Sequence, residues 1–136
     1  MPIARSRSTA PVFTGSRIAT FDLPAASPRS TGRLLLVLRD LAKTVDSLVL
    51  RLYLVRPGAA AQPLGEVYTY GEGPRDAGGN PERFAPVTMT LDVTASARLL
   101  TGPVEIYLRV FDPRERELAG VPITLESVEL TAGESP

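Results

Sequence analysis

Two stretches of this chain put a large aliphatic residue at every second position, and this limits the possible folds more than any other feature. In SLVLRLYLVR (47–56) these are Leu48, Leu50, Leu52 and Leu54; in PVEIYLRVF (103–111) they are Val104, Ile106, Leu108 and Val110. A period of two collects such residues on one face of an extended strand, whereas a helix would spread the same four around its circumference. Leucine is the better helix former, but burial of one continuous apolar face outweighs that propensity. Both stretches therefore read as strands with a buried face. Their opposite faces carry Val49, Arg51, Tyr53 and Val55, and Glu105, Tyr107, Arg109 and Phe111.

Five further apolar runs, at 17–23, 33–40, 64–70, 85–92 and 121–130, bring the number of expected strands to seven. Most of the thirteen prolines and eleven glycines fall between these runs and mark the loops. Short strands with turn signals between them predict an all-β fold, an antiparallel, jelly-roll-like β-sandwich. Leu34 to Leu38 are apolar on both faces, so that strand is expected inside the assembly or covered. In LDVTASARLLTG (91–102) the alternation stops at Val93 and gives way to a short helix near 94–100, closed by Gly102 and Pro103. Asp92 or Thr94 is placed to accept hydrogen bonds from the first free helical amides. The expected organisation is an N-terminal flexible or docking arm over 1–16, the sandwich over 17–130 and a C-terminal tail over 131–136. The glycine- and proline-rich connection 71–84 reads as a long surface loop.

Fifteen basic and fifteen acidic residues cancel, which leaves no electrostatic basis for binding nucleic acid or an anionic membrane. The chain has neither cysteine nor histidine. Thiolate nucleophiles, zinc–cysteine sites and iron–sulfur clusters are excluded, together with histidine-dependent nucleophiles and most metalloenzymes. No catalytic residue, cofactor or metal site is expected. The carboxylates of DPREREL (112–118) alternate with Arg114 and Arg116, which are expected to neutralise them at a hairpin tip. No apolar run reaches the ~18 residues of a membrane span, and the start of the chain lacks the apolar segment of a secretory signal, so the cytoplasm is the default compartment.

The residues that stand out are aromatic and cationic. If the third and sixth runs are neighbours, Arg51, Tyr53, Tyr107 and Arg109 form one mixed surface, which suits either a solvated sheet or a docking face, since Tyr and Arg are over-represented at interface hot spots. Tyr68 and Tyr70 share a face of their strand beside the long loop, and Phe84 lies at its far end. These seven residues are the candidate partner-docking set.

The order of the features resembles the C-terminal domain of tyrosinases and polyphenol oxidases. The resemblance is carried by the strand Leu-x-Leu-Tyr-Leu-Val (50–55), Leu-Gly-Glu-Val-Tyr-Thr-Tyr-Gly (64–71), the long loop, Leu-Asp-Val-Thr (91–94) opening a short helix, and Val-Pro-Ile-Thr-Leu-Glu-Ser-Val-Glu-Leu (121–130). It extends over residues 17–130. It implies a small β-sandwich that packs on a helical copper domain and covers the active-site entrance. The copper domain needs six histidines, which this chain lacks, so the oxidase activity does not carry over. What the resemblance implies here is a non-catalytic accessory protein acting on a partner, such as a copper oxidase made as a separate chain. Two alternatives stay open. One is a structural subunit that assembles into a homo-oligomer by donating its N-terminal arm; the other is a carbohydrate- or lipid-binding sandwich, for which the chain has neither a Trp platform nor an aspartate-rich loop.

Overall fold

The computed structural model describes residues 2–7, 11–23, 33–43, 47–70 and 87–133. Its strands are β1 (Pro2–Arg7), β2 (Ser16–Asp22), β3 (Arg33–Lys43), β4 (Ser47–Val55), β5 (Gln62–Tyr70), β6 (Val87–Asp92), β7 (Pro103–Phe111), β8 (Ile123–Thr124) and β9 (Ser127–Gly133). They form two antiparallel sheets, one in the order β1-β9-β3-β6 with β8 also paired to β3, the other in the order β2-β7-β4-β5. Apart from β4 and β5, successive strands along these two paths alternate between the sheets, which is the connectivity of a jelly roll.

The two alternating strands are paired with each other. β4 and β7 run antiparallel from Val49 opposite Phe111 to Val55 opposite Glu105. Leu48, Leu50, Leu52 and Leu54 meet Val104, Ile106, Leu108 and Val110 in the core, each at most 1% exposed. Leu34, Leu36 and Leu38 of β3 close the core from the other sheet. β3 is the central strand of its sheet, between β9 and β6 and also paired with β8; on its other face Val37 is buried and Leu35 half-buried. A bulge after Leu38 places Asp40 in the left-handed region at φ 51° and returns Leu41 to the core.

Two boundaries differ from the sequence reading. Residues 2–7 form an eighth jelly-roll strand, hydrogen-bonded to β9 of the same chain, where an arm was expected. Among the described side chains its inward positions are the small residues Ala4 and Ser6, too weak a pattern for periodicity to detect. The run 121–130 divides into β8 and β9 around Glu126, whose N–H donates to Arg39 O at 3.0 Å. β9 continues to Gly133 into the expected tail. The loop 71–84, with Phe84, lies outside the described residues.

The change of period at Asp92-Val93-Thr94 is realised as a 3-10 helix, Thr94–Leu99. Asp92 accepts from the Thr94 N–H at 2.9 Å and from its hydroxyl at 2.6 Å. The Thr94 hydroxyl does not cap the helix; it accepts the Leu34 N–H of β3 at 3.0 Å. Val93 and Leu100 are buried, so the helix closes one end of the sandwich. Loss of the Thr94 hydroxyl in Thr94→Val is expected to cost about 1 kcal/mol, because the partly buried Leu34 amide then has no acceptor.

At the open side of the sandwich β5 approaches β6 through Gly65. Its φ is +147°, and a Cβ there would lie 2.9 Å from Leu91 Cδ1. Gly65→Ala combines a backbone conformation that only glycine adopts readily with a displaced Leu91. It is expected to destabilise the fold by about 1–3 kcal/mol in urea unfolding.

Candidate functional site

The outer face of the β2-β7-β4-β5 sheet follows from the register of its strands. Tyr53 lies opposite Tyr107, and Arg51 opposite Arg109. On β5, Glu66 opposes Arg51 and Tyr68 opposes Val49; on β2, Arg17 opposes Tyr107. Arg51, Tyr53, Tyr68, Tyr107 and Arg109 therefore come together on one face. Tyr68 is 49% exposed, and Tyr53 and Tyr107 are half-buried. Tyr70 belongs to β5 opposite Ser47; its side chain is outside the described set, as is Phe84.

Two arginines directly opposite each other would repel, and their neighbours compensate. Arg51 Nε donates to Glu66 at 2.7 Å and its Nη2 to Glu115 at 3.1 Å. Arg109 forms a bidentate pair with Glu117, at 3.1 Å from Nε and 2.6 Å from Nη2. Both guanidiniums also lie over the Phe111 ring, Arg51 at 4.3 Å and Arg109 at 5.2 Å from its centroid, and Arg109 lies 6.0 Å from that of Tyr53. At the β2 edge Arg17 pairs with Glu105 at 2.7 Å.

The glutamates opposite Arg51 and Arg109 come from the turn that follows β7. Asp112 Oδ1 accepts the Arg114 and Arg116 N–H groups, each at 2.9 Å, and Glu115 adopts φ 66°. Glu117 then bridges back to Phe111, and Leu118 N–H donates to Val110 O at 2.9 Å. The hairpin expected for DPREREL is present, but its glutamates are not neutralised by Arg114 and Arg116. Glu115 pairs with Arg51 and Glu117 with Arg109. The missing signal was tertiary, since only the fold-back of the hairpin brings residues 115 and 117 over the sheet.

Thr14 fastens the other side. Its hydroxyl accepts the Val110 N–H at 2.9 Å and donates to Glu117. Between the hairpin and β5 an open cleft of about 400 Å³ is lined by Val49 and Tyr68 from the sheet and by Pro113 and Arg114 from the hairpin. Among the described residues no three carboxylates gather in a metal-binding arrangement.

Electrostatics keep this face ionised. The Glu66 carboxyl is held below its usual range by the Tyr68 hydroxyl and by Arg51. Glu117 is held lower still, at about 2, by hydrogen bonds from Arg109 and then Thr14. No family model matches the chain, and neither a curated protein nor a solved structure matches it.

A carboxylate with a depressed pKa favours the folded state wherever it is ionised. The Glu117 contribution is complete above its ordinary value of 4.5 and disappears as the pH falls towards about 2. In an NMR titration the Glu117 carboxyl carbon is expected to respond near pH 2, and Arg109→Met is expected to move the midpoint back towards 4.5. A midpoint near 4.5 in the unmodified protein would show that the pair does not form in solution.

Proposed function

We propose that this protein is a non-catalytic β-sandwich accessory protein that docks on a partner protein through the outer face of its β2-β7-β4-β5 sheet, the partner being a tyrosinase-like copper oxidase. One observation carries the reading: Arg51, Tyr53, Tyr107 and Arg109, far apart in the chain, form two adjacent cross-strand pairs on one accessible face. Tyrosine and arginine are enriched among the few hot-spot residues that dominate interface energy, because they offer large, amphipathic contact areas.

The arrangement also lowers the cost of docking. The guanidiniums are already held by Glu66, Glu115 and Glu117 and by the Phe111 ring, so little side-chain freedom is left to lose on binding. Their charges are balanced on the face itself, so the contact depends on aromatic burial and shape more than on net charge. Docked over the entrance of a copper site, such a face would exclude water and phenolic substrate, or hold the partner in a folded, loadable state.

The test is the rate of phenol oxidation by a tyrosinase-like oxidase that lacks a C-terminal domain of its own, measured with increasing amounts of this protein. The rate is expected to fall and then level off at saturation. The double variant Tyr53→Ala, Tyr107→Ala is expected to raise the half-inhibiting concentration roughly tenfold or more, the range of hot-spot truncations. An oxidase indifferent to saturating amounts would reject the covering role.

A further inference from the structure

A jelly roll leaves four strand edges, and three of them here are obstructed. β1 and β2 lie against each other where the two sheets meet, and they carry Arg5, Arg7 and Arg17 along that side. β5 is interrupted by Pro63, by Gly65 at φ +147° and by a register shift opposite Leu52 and Tyr53. Proline, bulges and cationic side chains are the usual devices that stop an edge from recruiting another strand.

β6 has none of these sequence devices, although Leu91 on its inward face also meets β5 at Gly65. Val87–Asp92, VTMTLD, contains no Pro, Gly, Lys or Arg, and among the described residues it pairs only with β3. The register shift in that pair lies on the β3 side, at Asp40, and leaves β6 regular. The direction of its backbone groups follows from the ladder. Val93 N–H donates to Leu34 O at 2.9 Å, and Leu36 opposite Leu91 and Leu38 opposite Met89 continue the same phase. Leu91 and Met89 therefore turn their N–H and C=O groups towards β3, while Thr88, Thr90 and Asp92 turn theirs to the open side. No hydrogen-bond partner for these outward backbone groups is found among the described residues.

We infer that β6 is a self-association edge, which pairs antiparallel with β6 of a second copy about a two-fold axis at Thr90. Strand addition requires outward groups to meet outward groups, so only registers that place even-numbered residues opposite one another can form a ladder. Centred on Thr90, the pairing sets Thr90 against its own copy and Thr88 against Asp92 of the second copy. It forms six main-chain hydrogen bonds within the strand, two for each of three facing pairs. On the outer side threonine hydroxyls meet a hydroxyl or a carboxylate; on the inner side Met89 faces Leu91 of the second copy. No like charges are opposed, so the strand is its own complement, as an isologous contact requires. A register centred on Met89 instead leaves only two facing pairs within the strand, Thr88 with Thr90 and its symmetry mate. The contact lies in the other sheet from the Arg51/Tyr53 face and leaves that face free, so its outcome is independent of the docking role proposed above.

Sedimentation velocity of the full chain tests this. The interface is small, so concentrations up to about 1 mM are needed. The mass is expected to rise from 14.6 kDa towards twice that value. Thr90→Pro deletes an amide that does not bond to β3, and is therefore expected to keep the fold by circular dichroism while weakening association at least tenfold. Thr90→Lys, which places a cation on the two-fold axis, is expected to do the same and decides the matter if the proline variant does not fold. A chain that stays monomeric throughout overturns the inference. So does a dimer that the folded variants leave intact, or one abolished only by deleting residues 1–7, which would place the contact at β1.

Discussion

The antiparallel pairing of β4 with β7 is the contact on which the rest of the molecule depends. Each strand has one aliphatic face, and neither can bury it alone. Side by side at the centre of the second sheet, they present Leu48 to Leu54 and Val104 to Val110 as one apolar layer against β3. A register slip of one residue in either strand would turn that layer to water. The same register decides what stands on the other side of the sheet, so the core and the Arg51/Tyr53/Tyr107/Arg109 face are two consequences of one alignment.

That alignment has an electrostatic cost, because it opposes Arg51 to Arg109. The surrounding structure offsets it with Glu66 from the adjacent strand and with Glu115 and Glu117 from a hairpin that folds over the sheet. Phe111, beneath both guanidiniums, is covered by their planes and is only 5% exposed. Exposed ion pairs contribute little stability individually. Here they act mainly to hold two long side chains in place, and so define the shape of the face. The positive φ of Glu115 belongs to the same device, since it is part of the turn that directs Glu115 towards Arg51 and Glu117 towards Arg109.

The edges of the sandwich follow a different logic. β1 completes the first sheet beside β9, where Glu129, almost fully buried, pairs with Arg39 and lies 4.0 Å from Arg5. Gly65 lets β5 come close to Leu91 of β6, which brings the two sheets together on that side. Among the described residues β6 is a regular strand that pairs only with β3. The docking face proposed above and the pairing edge inferred for β6 lie on different sheets, so neither contact would obstruct the other.

The sequence by itself determined the all-β class, six of the strands to within a few residues and the inward face of β4 and β7, because burial of an apolar stripe writes a period of two that needs no tertiary information. It also brought Arg51, Tyr53, Tyr107 and Arg109 into view as residues sharing the opposite faces of two strands. Tertiary structure alone decided that those strands are neighbours in a register that juxtaposes them, that Glu115 and Glu117 serve arginines of the sheet instead of those beside them in the chain, and that Thr94 binds Leu34 instead of a helical amide. It also made a strand of residues 2–7, where Ala4 and Ser6 bury too little to leave a pattern. In each case the deciding contact joins residues far apart in the chain, and local periodicity carries no record of such contacts.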